Sequence, residues 1–262
     1  MNNVAAIESH APRKAPVIPM RQVSARPVQS VQTRCTACNL RELCLPCGLS
    51  ASDAARAEDL VYTRKRVKRG DTLYRAGDAF NSLYAIRSGF FKTTFMTDDG
   101  REQVTAFHMG GEMLGMDGIG GGSYGTSAVA LEDSEVCVMP YSRLQELAQT
   151  MPMLQTQFHK VMSREIAREH GVMMLLGSMR AEERLAAFLL NLSQRFGARA
   201  YSRNEFQLRM TREEIGSYLG LKLETVSRAF SKFQEDGLLD VQQKHVRILD
   251  ADRLREIMGR RP

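Results

Sequence analysis

Apolar positions follow three different rules along the chain. Between about 61 and 140, short β-prone runs alternate with turn signals: Lys68-Arg69-Gly70-Asp71, Ala76-Gly77-Asp78, Arg87-Ser88-Gly89, Asp98-Asp99-Gly100 and Met109-Gly110-Gly111-Glu112. Runs at 82–86, 90–96 and 102–107 read as strands between them. Short strands with regularly spaced turns predict an antiparallel β-roll, jelly-roll-like in plan. From 151 to 179 the rule changes. Leu154, Phe158, Met162, Ile166, Met173, Leu176 and Met179 recur at helical intervals, the narrow seam of one long helix. Arg164, Glu165, Arg168 and Glu169 occupy its polar side. The helix can pack on its own domain, but beside a β-roll much of that seam would stay uncovered. Pairing with a second copy is therefore expected. Gly171 and Gly177 weaken the helix, as suits a marginal dimer.

The third rule governs the C-terminal part. Leu185, Phe188, Leu189 and Leu192 share one face of a helix at 181–196, and Gly197 stops it. A short strand at 206–210 follows. Thr211 with Glu214 three residues on is a capping box. A short helix runs to Leu219, Gly220 breaks it, and a second helix spans 222–235. Ile215, Leu219, Leu221, Val226 and Ala229 are the apolar set of the two-helix element, with small Gly216 where the helices would cross. Helix, glycine turn and helix in this spacing predict a helix-turn-helix. Strands at 238–241 and 246–249 around Gln242-Gln243-Lys244-His245 read as a wing.

In such an element the second helix enters the major groove. Glu224, Ser227 and Arg228 share one face, and their chemistry suits base edges: Arg for guanine, Glu for cytosine N4, Ser for either. Thr225, Lys222, Lys232 and Arg212 are placed for phosphates. The bland alternative is an ordinary surface pair between Glu224 and Arg228.

Composition changes this picture little. The chain has 262 residues, 43% hydrophobic and 25% charged, enough for two domains. No apolar run is long enough for a membrane helix, and the N-terminus lacks a secretory core. Residues 1–34 carry four prolines, five Arg or Lys and one Glu, and no periodicity. They are expected to be a disordered tail, and their prolines interrupt the amphipathic helix of a transit peptide. The net charge of +6 comes mostly from this tail, so it is a weak argument for nucleic acid. The run Arg64-Lys65-Arg66-Val67-Lys68-Arg69 suits a solvated strand edge better than a phosphate patch. A helix at 50–60, capped by Ser50 or Ser52, precedes it.

The cysteines add the distinctive chemistry. Cys35, Cys38, Cys44 and Cys47 fall in thirteen residues, with Cys137 far downstream. The odd total and the crowding argue against a secreted disulfide framework and for a reducing cytoplasm with a metal or redox role. C-x2-C-x5-C-x2-C suits a compact zinc knuckle. Three loop cysteines with Cys137 suit an iron–sulfur cluster, whose thiolates can come from distant segments. Cys137 can also be a plain core cysteine.

From Cys35 to about Leu249 the chain closely resembles the fumarate–nitrate reductase regulators (FNR) of the cyclic-AMP receptor protein superfamily. The residues that carry the likeness are Cys35-x2-Cys38-x5-Cys44, Ser82-Leu83-Tyr84-Ala85-Ile86-Arg87-Ser88-Gly89, Ala181-Glu182-Glu183-Arg184-Leu185-Ala186-Ala187-Phe188 and Leu223-Glu224-Thr225-Val226-Ser227-Arg228. The resemblance makes Cys137 the fourth ligand of a [4Fe–4S] cluster beside Cys35, Cys38 and Cys44, and leaves Cys47 as an extra. It implies a homodimer when the cluster is loaded, cluster loss in oxygen, and a palindromic TTGAT/ATCAA operator in double-stranded DNA. The dimerisation residues would be Met162, Ile166, Glu169, Met173 and Leu176, with Glu169 as a charge brake. RNA polymerase would be touched by the hairpin tip at 97–101.

The expected organisation is α+β: a tail at 1–34, cysteine loop and β-roll sensor domain at 35–150, dimerisation helix at 151–179, and winged helix-turn-helix domain at 180–262. Three rival readings differ in the chemistry they need. Gly111-Glu112-Met113-Leu114-Gly115 resembles the start of the superfamily's phosphate-binding cassette, but Gly122-Ser123-Tyr124-Gly125-Thr126-Ser127-Ala128 supplies no cation, so no cyclic nucleotide is expected. His108 and His159 are candidates for haem, but that reading leaves the cysteines unexplained. No nucleophile elbow, P-loop or clustered histidines point to an enzyme. A cytoplasmic transcription regulator with no membrane partner is the expectation. Its alternative is a DNA-binding regulator with a zinc knuckle and a small ligand in the roll.

Overall fold

Alternation along the strands divides the N-terminal half into two cores. The computed structural model describes residues 35, 38–60, 63–97 and 99–259. Two antiparallel four-stranded sheets face each other. One has the order β1 (Thr63–Val67), β8 (Ser134–Pro140), β3 (Ser82–Ser88), β6 (Met113–Leu114). The other has the order β2 (Thr72–Tyr74), β7 (Ser127–Ala130), β4 (Phe90–Met96), β5 (Glu102–Met109). Val67, Leu73, Ile86, Phe91, Leu114, Ala128 and Val136 fill the space between them. Their strand neighbours point the other way. Leu83, Ala85, Met113 and Met139 leave the roll's outer face and meet Leu45, Leu49, Ala54, Ala57, Leu60, Leu144 and Leu154. The cysteine loop, helix α1 (Ala51–Ala57) and the single helical turn Glu58–Leu60 therefore lie on the outside of the first sheet. Ser50 caps α1 by accepting from the Asp53 amide, as its position forecast. The basic run lies on β1 at a sheet edge, as expected, with Lys65 and Arg66 exposed.

Helices α2 (Gly118–Gly121) and α3 (Tyr141–Thr150) were not anticipated, nor was α8 (Ala251–Gly259) at the C-terminal end. The long helix α4 (Pro152–Ser178) and helix α5 (Ala181–Gly197) fall where expected. The seam of α4 is not uniform, which corrects the expectation. Leu154 is buried and Phe158 packs in the chain's own outer core. Leu175 is buried, and Leu176 and Met179 pack against the C-terminal core. Only the middle faces outward: Ile166 is 50% exposed and Met173 60%, Glu169 is exposed, and Met162 is half-buried. Met174, next to Met173, is 67% exposed as well.

The C-terminal part packs α5 with α6 (Arg212–Leu219), α7 (Leu223–Glu235) and α8 around Leu185, Leu189, Ile215, Leu219, Val226 and Phe233. A sheet of order β10 (Leu239–Gln242), β11 (His245–Ile248), β9 (Glu205–Gln207) completes it. Strand β9 ends before Leu208, three residues short of the expected 206–210 span. This core is continuous with Phe90, Val104, Phe107, Met109 and Leu131 of the roll. Polar contacts fasten the same joint. The Val104 amide donates to Ser217 Oγ at 2.8 Å, Lys92 pairs with Glu214 at 3.2 Å, and Arg209 with Glu132 at 2.6 Å. Arg184 donates to the carbonyls of Leu176, Met179 and Leu219, binding the end of α4 to the end of α6. The expected tail at 1–34 lies outside the described residues.

Candidate functional site

The cysteine loop is a succession of tight turns. Cys38 donates to the Cys35 carbonyl, Arg41 to Cys38, Leu43 and Cys44 to Leu40, and Cys47 to Cys44. Arg41 Nη2 closes the loop by donating to the Leu49 carbonyl at 2.7 Å, and Leu45 is 1% exposed beneath it. Turns of this kind throw side chains in different directions, and the result sorts the five thiols. Cys35, Cys38, Cys44 and Cys137 line one small cavity of about 40 Å³, more than one water needs. Cys47 is not among its walls; its sulfur lies 3.9 Å from Glu42 Oε2. Cys137 reaches the cavity because alternation on β8 turns it away from Val136 and the inter-sheet core. It stands opposite Ala85 on one side and Arg64 on the other.

Apart from Arg41 and Arg87 the rest of the wall is apolar, Leu45, Leu60, Ala85 and Met139 among it, with no carboxylate and no imidazole. Burial pushes the Cys35 thiol up to about 11, with Cys137 and Cys38 adding to it. Burial likewise pushes Cys44 up to about 12. Cys137 is raised by burial, against the pull of Arg64 and Arg87. Left alone, these sulfurs hold their protons, and a metal must displace them to bind. Among the described residues no three metal-ligating side chains converge tightly enough to grip an ion as they stand. The donor chemistry nonetheless fits a thiolate-held group: four soft sulfurs, a dry wall and positive charge nearby. Arg41 and Arg87 are in the lining, and Nε of both Arg41 and Arg64 is buried without a hydrogen-bond partner. The sequence reading missed these arginines. Arg64 becomes visible as a neighbour of Cys137 only once the β1–β8 register is known.

The DNA-reading element is held by local contacts. The Glu214 amide donates to Thr211 Oγ1 at 3.1 Å, and the Thr211 amide to Glu214 Oε2 at 2.7 Å. Gly220 ends α6 with φ +62, and a Cβ on Gly216 would lie 2.6 Å from the Leu221 carbonyl oxygen. Val226, Ala229, Phe230 and Phe233 bury one face of α7. Lys222, Glu224, Ser227 and Arg228 are exposed on the other and Thr225 is half-buried. Among the described residues Glu224 and Arg228 form no ion pair, with each other or elsewhere.

Arg212 departs from its expected phosphate role. Its guanidinium lies 3.3 Å over the Phe230 ring, and burial holds its pKa down to about 10. It braces α6 against α7. Lys232 is paired with Glu182 at 2.7 Å. The wing turn holds Gln243 at φ +57, and Lys244 Nζ donates to the Arg209 carbonyl.

A second cavity, about 400 Å³, opens between the roll and α4. Its walls include Asp117, Glu165 and Glu169 and neither Lys nor Arg. Asp117 Oδ2 accepts from the amides of Gly125 and Thr126 and from the Thr126 hydroxyl. His108, the haem candidate inside the roll, is buried, with Nε2 3.2 Å from Thr93 Oγ1 and Nδ1 3.2 Å from Arg168 Nη2. At the β4–β5 hairpin tip, the Gly100 amide donates to the Thr97 carbonyl, and Phe95 and Met96 are 49% and 61% exposed. Asp98 of that tip lies outside the described residues.

Comparison with known proteins agrees with this geometry. Residues 183–257 match the Crp-like helix-turn-helix domain, and 64–151 match the cyclic nucleotide-binding domain. The transcriptional regulatory protein btr of Bordetella pertussis is 46% identical over 89% of this chain and 96% of its own length. The fumarate and nitrate reduction regulatory protein of Escherichia coli is 41% identical over 93% of this chain and 98% of its own. The solved structure of FixK2 from Bradyrhizobium japonicum matches with a TM-score of 0.70 and 28% identity, covering 76% of this chain and 98% of that one. No helix among the described residues is long and apolar enough to cross a membrane. With its β-roll, long helix, winged helix-turn-helix and these relatives, the chain belongs to the FNR-type branch of the Crp superfamily, and it is a transcriptional regulator and not an enzyme.

Proposed function

We propose that this regulator is an oxygen sensor of the cytoplasm, in which Cys35, Cys38, Cys44 and Cys137 hold a [4Fe–4S] cluster. The observation that carries the reading is that these four thiols, and not Cys47, share one apolar cavity. Such a cluster, when bound, supplies an oxygen-labile cross-link between the N-terminal loop and β8. The chain's own residues do the rest. Arg41, Arg64 and Arg87 offset the negative charge that four thiolates bring. Leu40, Leu45 and Leu60 keep the cavity dry. In this reading the chain works as a sensor part to about 150, the long helix, and a DNA-binding part from about 180.

Dimerisation follows from the exposed middle of α4. Met162, Ile166 and Met173 form an apolar stripe that a second copy would cover. Glu169 beside its symmetry mate opposes that contact, so the dimer constant stays within reach of control. Leu176 serves the chain's own core instead. Two recognition helices on one palindrome bind far better than one, because the second engages at high effective concentration. Glu224, Ser227 and Arg228 read a TTGAT/ATCAA-type operator, with Thr225 and Lys222 near the backbone. The hairpin tip, with Phe95 and Met96 beside it, is the surface offered to RNA polymerase. The carboxylate-lined cavity against α4 would repel a nucleotide phosphate, so cyclic nucleotides are not the signal.

The test is chemical analysis of protein purified without oxygen. About four irons and four sulfides per chain, with a brown colour that bleaches in air, support the reading. Stoichiometric zinc without sulfide would replace it by a structural thiolate site and move the search for a signal to the cavity against α4.

A further inference from the structure

The cysteine loop does not merely cover the roll; it rests on one turn. A Cβ added to Gly110 would lie 3.0 Å from Leu40 Cδ1, and one added to Gly111 would lie 2.8 Å from Leu43 Cβ. The loop's leucines therefore pack on bare backbone. Gly111 is at φ +87, a conformation that glycine adopts without strain. The turn is fixed to β3 by hydrogen bonds from the Gly111 amide to Ile86 O at 2.7 Å and from the Ile86 amide to Glu112 O at 2.9 Å.

Glu112, the next residue, gathers three arginines. Its Oε1 accepts from Arg195 Nε at 3.1 Å and Arg199 Nη2 at 2.6 Å. Its Oε2 accepts from Arg195 Nη2 at 2.7 Å and Arg168 Nη1 at 3.2 Å. Arg168 belongs to α4, and Arg195 to α5 of the C-terminal part; Arg199 follows just after α5. Arg199 Nε also donates to the Gly110 carbonyl at 2.6 Å, and Arg195 Nη2 to that of Phe107 at 2.6 Å. Arg168 adds Glu165 as a second carboxylate. These guanidiniums hold the Glu112 carboxyl far below the usual range despite its burial. Glu112 is the one carboxylate that all three cations share, and without it Arg195 and Arg199 are left facing each other.

We propose that the turn at 110–112 is the joint through which the cysteine loop sets the position of both the long helix and the DNA-binding half. Glu112 is its positioning residue. Leu40 and Leu43 press on the glycines of the turn, and the three arginines hang from its glutamate. A loop that loosens frees the turn, and the shared carboxylate moves away from α4 and α5 together. Coupling by a shared, discrete set of contacts is the physical requirement for such a relay. The relay depends on the loop's leucines and not on what the cysteines bind. Its failure would therefore leave the iron–sulfur reading untouched, and the converse holds.

The experiment is hydrogen exchange on the full chain, without DNA, for wild type, Leu43→Ala, Glu112→Gln and the double variant. Leu43→Ala should speed exchange at 165–170 and 195–199 by on the order of tenfold, the factor that one lost charge-assisted hydrogen bond supplies. Glu112→Gln should speed the same segments, and Leu43→Ala should add nothing further in that background. Glu112→Asp, which keeps the charge, serves if Glu112→Gln does not fold, and should retain part of the response to Leu43→Ala. The proposal is overturned if Leu43→Ala leaves 195–199 unchanged, or if its effect is equally large in the Glu112 variants.

Discussion

The recognition helix and the cysteine cavity stand at opposite ends of readiness. Around α7 the structure is set by neighbouring residues: a cap at Thr211 on α6, a helix crossing at Gly216, and on α7 itself a buried face and a polar face free to solvent. Around Cys137 the requirements point outward. Thiols raised by burial line a void, and Arg41 and Arg64 bury nitrogens with no partner. The reading head is thus built from residues close together in the chain, whereas the thiol cavity joins the N-terminal loop to a distant strand, β8.

The comparison breaks most severely at Cys137. Cys137→Ser should remove essentially all bound metal while Cys47→Ser keeps it, read by metal and sulfide content per chain. Equal loss in both would mean that the cavity is not the site. The reading head should fail in a different way. Gly216→Ala forces a Cβ into the Leu221 carbonyl and should cost roughly 1–3 kcal/mol of stability, read by thermal melting. Arg228→Ala should leave melting unchanged and weaken specific binding by about 1–3 kcal/mol, read by operator titration.

Smaller effects sharpen the division of labour within the head. Lys222→Ala should reduce the salt slope of binding by about 1. Arg212→Ala should leave that slope unchanged and instead cost ~0.5–2 kcal/mol of stability, the worth of its stacking on Phe230. Glu169→Ala should favour the dimer in air by on the order of 1 kcal/mol, read by sedimentation. A protein that stays monomeric would show that this charge is no brake.

The same contrast explains what the sequence disclosed. The helix-turn-helix was legible because caps, glycines and apolar spacing are local signals, all within 211–237. Helix α3 escaped because Pro140 gives no side-chain cap and Leu144 alone is buried. Helix α8 likewise buries only Leu254. Arg212 misled because its position next to Thr211 looks like a phosphate contact, whereas Phe230 lies one helix away. The seam of α4 was legible as a stripe, but which parts the chain itself would cover depended on tertiary packing. The arginines on Glu112 come from 56 to 87 residues away, beyond any local pattern. Cys137 was the intermediate case: strand alternation gives its face, but only the loop lying on that face makes it a partner of Cys35, Cys38 and Cys44.

The most direct test of the link between the two ends is operator affinity measured by fluorescence anisotropy on one oxygen-free sample, before and after air is admitted, with Cys137→Ser beside it. The expected result is tight binding that falls in air by about 10²–10⁴, the range that loss of bivalent engagement gives, with Cys137→Ser weak throughout. Affinity that is the same before and after air, or a Cys137→Ser protein that binds as tightly as the untreated sample, would contradict control of the recognition helices by the cysteine cavity.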